Sequence, residues 1–536
     1  MKLVNFDAST MGGRYTALSY CWGSQEELEK NGNLVTTTKR HDTFMAEGIL
    51  ISELPMTIRQ AVWVTYLLGQ SYIWVDSLCI IQDDHSDWEI ESLRMATVYS
   101  MAVVTIIAAS STSCHSGFLP RRSSVTTFGK YHVKLLPHIS LHAVSPPYSS
   151  GFHTFPAMDP IDARGWTYQE EYLSSRYLKF TRDDIQWKCN AGAVCLCGEE
   201  LEDTPQYNNN KNSNNNLKQD GSTPWEVVVR GFSGRVFTNE TDKLPAISGL
   251  AERFATEQQE ETVQSRYIAG CWEDRIMSLA DLLWSVELSY IPGEVSYPPE
   301  SYVAPSFTWP SVNKRVFFPN SSDGGIVQPL CEVIRVNVQP LSPDRPFGRV
   351  LPGGELVVRG PLIRRCILQV APSSDRGDFT RFKVRINEGF VSYPLEHPDD
   401  RPTRPTSKCY LDSTSRCYLD CRVSESASLQ GVRSLHRCQG LNCPLISDTS
   451  KHHRLLDLEE PIRTRVKDLA EVDVLLVLTK KHRAGWRAID ALVLGRPDPN
   501  SHVYQRIGLV QWRPEGPILA LEASGLEPWM TEVMIQ

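Results

Sequence analysis

Two acids stand where surroundings give a carboxylate work to do. Residues 72–76, YIWVD, form an apolar run that ends on Asp76. A short acidic loop follows, and then Glu91 appears among Trp88, Met95 and Tyr99 at spacings that put all four on one helical stripe. A carboxylate on an apolar stripe is costly to bury unless it is paired. Glu91 therefore pairs with an arginine or a backbone amide, or lies at the stripe's wet edge, or else faces a cleft. In a cleft, a fixed carboxylate stabilises positive charge developing on a sugar ring or binds its hydroxyls. Asp76 has a similar choice. An acid at the carboxyl edge of a central strand points to the usual ligand crevice, or it caps the next loop through the amides of residues 77–79. Trp74 and Trp88 read most simply as core aromatics, with stacking on a flat ligand ring as the functional alternative.

These residues need a sheet to hold them. Residues 14–23 read as a strand running into a glycine turn. Residues 24–53 read as polar and irregular, with an Asn-Gly turn signal at 31–32. Pro55 opens a helical stretch with Ile58, Ala61, Val62, Thr65 and Leu68 on one face, and Gly69 suits its end. Strand 72–76, a helix at about 87–100 and strand 102–109 follow. That alternation predicts a parallel sheet wrapped by helices. Residues 111–163 read as loop-rich with a hairpin. A helix from about Thr167 leads to a strand with Trp187 nearby.

The expected organisation is an α/β domain at 1–180 with a flavodoxin-like parallel sheet and flanking helices. A mostly helical section at 181–300 carries the asparagine tract 208–216, and a β-rich domain occupies 301–536, making α+β overall. In the last part, proline rises and short alternating runs appear at 332–338, 354–359, 381–393, 472–479, 486–495 and 504–511. A short duplication, KCYLDSTS then RCYLDCRV, lies at 408–423 and is too brief for a solenoid repeat.

A length of 536 residues points to about three domains. The net charge of −8 argues against a nucleic-acid partner, because phosphate binding needs a dense positive field. No window reaches the ~20 apolar residues that span a bilayer, and the first ten residues lack the apolar core of a secretory signal, so a cytoplasmic location is expected. Fourteen cysteines spread through a chain of this kind are expected to be reduced. Two clusters stand apart: Cys189, Cys195 and Cys197, and the set Cys417, Cys421, Cys438 and Cys443. Zinc sites favour tighter, more regular pairs, so no metal is expected. No GxSxG, HExxH, Walker or G-x-G-x-x-G pattern is present. Cys79 with His85 is a poor nucleophile pair, since an apolar run gives nothing to lower the thiol's pKa.

Three blocks in order resemble the fungal heterokaryon-incompatibility (HET) domain. The first is Tyr15-Thr-Ala-Leu-Ser-Tyr-Cys-Trp-Gly23. The second comprises Leu54-Pro-x-Thr-Ile, then Tyr72-Ile-Trp-Val-Asp-Ser-Leu-Cys-Ile-Ile-Gln82, then Asp87-Trp-x-x-Glu91 with Met95 and Tyr99. The third is Arg164-Gly-Trp-Thr-Tyr-Gln-Glu170. Downstream, Asp242-Lys-Leu-Pro-Ala, Ala269-Gly-Cys-Trp272, Leu283-Trp284 and Ala304-Pro-Ser-Phe-Thr-Trp309 resemble the usual companions of such domains. Many relatives carry sequence ahead of the first block, so an upstream partner-binding segment is expected to be missing here.

The resemblance implies a cytosolic effector of nonself recognition that kills incompatible fused cells. Self-association and contact with incompatible allelic or receptor proteins are the partners it implies. HET domains are also similar, more distantly, to TIR domains, many of which cleave NAD at the nicotinamide–ribose bond once they oligomerise. That relation implies NAD as a substrate, with no resident cofactor. TIR enzymes use one glutamate on a helix after a central strand, and Glu91 is the matching position. Asp76 is then the second catalytic candidate, and Trp74, Trp88, Arg164 and Gln169 are candidates for substrate binding. Arginine suits a diphosphate by bidentate geometry, yet Arg164 could equally pair with Asp76 or Glu91. Glu170 and Glu171 diverge by about 100° on a helix, so they cannot both serve one site. The alternative is a non-catalytic signalling module that works through its surfaces.

Overall fold

The computed structural model describes residues 1–5, 13–119, 131–136, 139–143, 159–182, 185–189, 191–195, 223–257, 265–286, 299, 301–318, 326–371, 381–385, 416–419, 468–481, 487–496, 502–512 and 530–536. The asparagine tract 208–216 and Cys197, Cys421, Cys438 and Cys443 lie outside these residues, as do the side chains of Cys195 and Cys417. The chain packs as two units, Met1–Asn209 and Asn210–Gln536.

In the first unit, β1 (Thr16–Ser19) is central and fully buried, as is β3 (Val104–Ile107). Strands covered on both faces have no solvent side, which is why TALS and VTII show no alternation of buried and exposed residues. β1 pairs in parallel with β2 (Ile73–Trp74) on one side and β3 on the other. A hairpin of β4 (Tyr131–Leu136) and β5 (Ile139–Ala143) lies outside that sheet. β6 (Tyr177–Phe180) extends the parallel part from β3, and β7 (Ile185–Cys189) and β8 (Gly192–Cys195) add antiparallel strands. The order is β2-β1-β3-β6-β7-β8, so the strand order reverses between β1 and β3. In open α/β sheets of this flavodoxin-like order, ligands bind beyond the carboxyl ends of the strands at that reversal.

The helices are α1 (Gln25–Asn31), α2 (Thr38–Ala46), α3 (Met56–Leu67), α4 (Asp76–Cys79), α5 (His85–Met101) and α6 (Trp166–Leu173). α3 buries Ile58, Ala61, Val64 and Thr65, and Gly69 takes φ +68° just past its end, where a Cβ would be strained. Leu18, Tyr20, Ile58, Ala61, Val64 and Ile106 form the core on the α3 side. On the other side, Ala17 packs with Met95 and Tyr99 of α5 and with Ala102 just past its end.

Three expectations need correction. Residues 24–53 are not irregular: α1 and α2 lie there. α1 buries no residue and α2 buries only Phe44, so neither has apolar periodicity to read. Strand 72–76 is shorter, because Asp76 is the first residue of the helical turn α4 rather than the last of a strand. Within the section expected to be mostly helical, residues 265–286 mix short strands with single turns.

The second unit opens with α7 (Pro224–Phe232) and α8 (Pro245–Glu257). Thr223 and Glu226 close a capping box on α7, with Pro224 in its first turn. A strand pair, β9 (Tyr267–Ile268) and β10 (Cys271–Trp272), leads to the short helix α9 (Glu273–Met277). A second pair follows, β11 (Ser285–Val286) with β12 (Val316–Phe317). The β-rich remainder is β13 (Ile326–Pro329), β14 (Glu332–Asn337), β15 (Glu355–Ala371), β16 (Arg381–Arg385), β17 (Arg416–Leu419), β18 (Asp468–Lys481), β19 (Arg487–Gly495), β20 (Val503–Trp512) and β21 (Met530–Ile535). β15 pairs with β21 through its first half and with β18 through its second. β18, β19, β20 and β21 pair in turn, so these five strands close a ring. Closure hides backbone edges that would otherwise invite pairing.

Candidate functional site

The site forms where β1 and β2 end. β1 exits through Tyr20, Cys21 and Trp22, and β2 exits through Val75 into α4. Trp22 Nε1 donates to Asp76 Oδ2 at 2.8 Å, and the Ser77 amide donates to Asp76 Oδ1 at 2.6 Å. Asp76 thus makes part of the expected cap, and the indole holds it as well. Burial pushes the Asp76 carboxyl above the usual range, against the pull of Trp22 and of Arg164.

Glu91 lies on α5, and Arg94 Nη1 donates to its Oε1 at 2.8 Å. The Glu91 side chain is 18 % exposed and that of Arg94 66 %. Met95 and Tyr99 of the same stripe are buried, whereas Trp88 and Glu91 are half-buried. The stripe therefore runs from dry core to wet edge, with Glu91 near the wet end. Trp74 is half-buried and packs edge-on against Tyr99, with ring centroids 5.5 Å apart. Trp88 meets Trp166 of α6 edge-on at 6.4 Å.

The Cys79 thiol is pushed up to about 12, first by burial and then by the charges of Asp76 and Glu91. This is the reverse of an activated nucleophile.

Block three closes the site from α6. Arg164 Nη1 donates to the Tyr20 carbonyl at 3.0 Å, and its charge acts on Asp76, Cys21 and Glu170. Arg164 is thus near Asp76, one of its two expected partners, while Glu91 pairs with Arg94. Gln169 is buried on α6. Glu170 and Glu171 do part company. Glu171 binds Lys179 at 3.0 Å, while Glu170 turns into the core at 4 % exposure.

Glu170, weighed with Glu171 in the sequence but not placed among the candidates, is a buried acid at the same end of the sheet. Its carboxyl is pushed up to about 7, chiefly by burial and further by Asp76, while Ser19, Arg164 and Tyr99 pull the other way. Ser19 is 1 % exposed and its hydroxyl finds no hydrogen-bond partner in good geometry among the described residues. A buried acid among apolar residues was the signal used for Glu91. Applied to 166–173, it would have marked Glu170 as well. Among the described residues, no group of His, Cys, Asp and Glu gathers as a metal site would. No helix among them is long and apolar enough to cross a membrane.

Residues 15–170 match the family model described as heterokaryon incompatibility protein (HET). The match runs from Tyr15 to Glu170 and takes in every residue of the site. No curated protein and no solved structure matches the chain.

Proposed function

Residues 15–170 being a HET domain, we propose that the protein is a cytoplasmic effector of fungal nonself recognition. Self-association of its copies, prompted by an incompatible partner, triggers cell death. We infer further that the domain acts by cleaving the nicotinamide–ribose bond of NAD. The observation that supports this is Asp76, held by Trp22 just beyond β1 and β2 near the reversal of strand order, with Glu91 near the wet end of the α5 stripe. The pyridinium ring of NAD is a cation, and acids beside the half-buried rings of Trp74 and Trp88 suit it. In this reading the C–N bond breaks and its electron pair leaves with neutral nicotinamide. The ribose is left with oxocarbenium character, which Glu91 stabilises. Water adds to the anomeric carbon and Asp76 takes its proton.

The test is nicotinamide release from NAD by concentrated full-length protein, with Glu91→Gln alongside. Release by the parent chain and a hundredfold loss in the variant, with unchanged folding, is the expected result. A second reading has its own observation. The Arg94–Glu91 pair satisfies the acid as a structural group, as a purely signalling module would. On that reading Glu91→Gln kills cells as well as the parent does.

A further inference from the structure

We propose that the outer face of α3 is the surface on which two copies of this chain associate, α3 against α3 about a two-fold axis. This deepens the self-association part of the reading above and rests on it for its biological use, though not for its geometry.

α3 has two faces. Ile58, Ala61, Val64 and Thr65 are buried on the inner one. An amphipathic helix should then be polar outside, and this one is not. The outer stripe carries Met56, Arg59, Trp63, Tyr66 and Leu67. Trp63 is 55 % exposed, Tyr66 76 % and Leu67 59 %. Other helices of the same unit turn charge to water: Glu26, Glu29 and Lys30 on α1, and Lys39, Arg40 and Asp42 on α2. Among the described residues, the Trp63 and Tyr66 rings pack against no other ring, and Arg59 has no ion-pair partner. The Arg59 Nε is buried without an acceptor.

Size and charge select the occupant. Covering an aromatic side chain buries about 200 Å². At these exposures the stripe offers roughly 450 Å², the scale of an interaction patch and about half of what each partner gives to a stable complex. Between Leu54 and Tyr72 the only charged residue is Arg59, in a chain of net charge −8. Two copies therefore repel over most of their surface and not here. A lipid surface would call for a basic rim around the aromatics, which one arginine does not make. A two-fold contact sets a face against itself. With the helices antiparallel and Trp63 at the axis, Arg59 of each copy lies over the Tyr66 ring of the other, and the two arginines stay about two helical turns apart. Trp, Tyr and Arg are also the residue types that carry most energy at interfaces.

Sedimentation velocity of the full chain at rising concentration tests this without reference to NAD. The parent is expected to dimerise. Trp63→Asp and Trp63→Lys should each weaken association about tenfold or more, and mixing the two should restore it, because a residue at the axis meets its own copy and the charges then pair. The position is exposed, so both variants should keep the parent's circular dichroism and Tm. A parent that stays monomeric at every concentration overturns the proposal. A dimer that both variants leave intact, or that the mixture fails to restore, overturns it too. Failure of the NAD reading would leave these results untouched. A monomeric Trp63→Asp chain that kills cells as well as the parent would keep the contact and remove self-association as the trigger.

Discussion

The two units bury charge in different ways. In the second, Arg275 donates from Nε to Asp281 at 2.6 Å and also to Glu226. The free oxygens are answered too: the Trp272 amide donates to Asp281 at 3.0 Å and the Thr223 amide to Glu226 at 2.7 Å. Arg506, 2 % exposed, donates to the carbonyls of Leu282 and Trp284 and lies 3.4 Å over the Trp284 ring. In the first unit, Asp76 is held by Trp22 and the Ser77 amide, and burial pushes its carboxyl and that of Glu170 up. Burial pushes Asp281 up as well, so a raised carboxyl does not separate the units; what separates them is that one arginine ion-pairs both acids in the second, while neutral donors hold Asp76 in the first.

The sharpest break of this comparison is Arg506→Met. It leaves two buried carbonyls without their donors and removes a ring contact. Loss of one partner from such a buried arrangement costs about 3–5 kcal/mol. Denaturant unfolding of the full chain should show that loss. Circular dichroism and nicotinamide release from molecules still folded should show the first unit's site unaltered. A small loss in stability would mean that the second unit's buried charge is no more structural than the first's.

Titration sharpens the contrast next, because Glu170 and Lys243 run in opposite directions. Glu170 has its folded pKa raised to about 7 from an ordinary 4.5. The folded state therefore holds a proton that the unfolded chain gives up. The associated stability is present below the lower value and is lost as pH rises through the higher one. Glu170→Gln cannot ionise, so it should gain on the parent by up to about 3 kcal/mol between pH 4.5 and 8. Lys243 donates to the Val312 carbonyl, 5.6 Å from the Trp309 ring centre, and burial lowers its pKa to about 7. Here the unfolded chain binds the extra proton, so stability rises as pH climbs from 7 towards 10.5. Lys243→Met should be relatively favoured below pH 7 and lose that advantage above it. Urea midpoints at several pH values check both signs.

How much of this was legible in the sequence follows from the same physics. The parallel sheet was readable from the alternation of strand-like and helix-like segments, with β1 and β3 buried along their whole length. The β-rich second unit was readable from its alternating segments. α1 was not, since a helix that buries nothing has no period to detect. A signal did exist there: Ser24 and Glu27 are spaced as a capping box, and Ser24 does accept from the Glu27 amide at 3.2 Å. Asp76 and Glu91 could be marked as odd acids, but not all of their neighbours could. Arg94 meets Glu91 three residues away on the same helix, a spacing the sequence did offer, whereas the reach of Arg164 to the Tyr20 carbonyl spans 144 residues and no local pattern encodes it. Trp22 as a donor to Asp76 is a contact across 54 residues, which no local pattern encodes.

The smallest stability effect bears on the Arg94–Glu91 pair. Arg94 is mostly in water, and a surface ion pair three residues apart on a helix contributes about 0.3–0.5 kcal/mol. Arg94→Ala should therefore leave the melting temperature nearly where it is. Its effect on chemistry should be larger. If Glu91 is the carboxylate that meets the ribose, Arg94 competes with substrate for it, and its removal frees the acid. Nicotinamide release at subsaturating NAD should then rise severalfold, and raised salt should do part of the same work in the parent chain by screening the pair. The Glu91→Gln background should abolish both effects. If Arg94→Ala instead slows release while the fold holds, Arg94 is a contact for the dinucleotide and the acid was never masked. No change in release with loss of cell killing would move Glu91 and Arg94 together to a signalling surface, and the contrast between the two units would then be one of exposure rather than of catalysis.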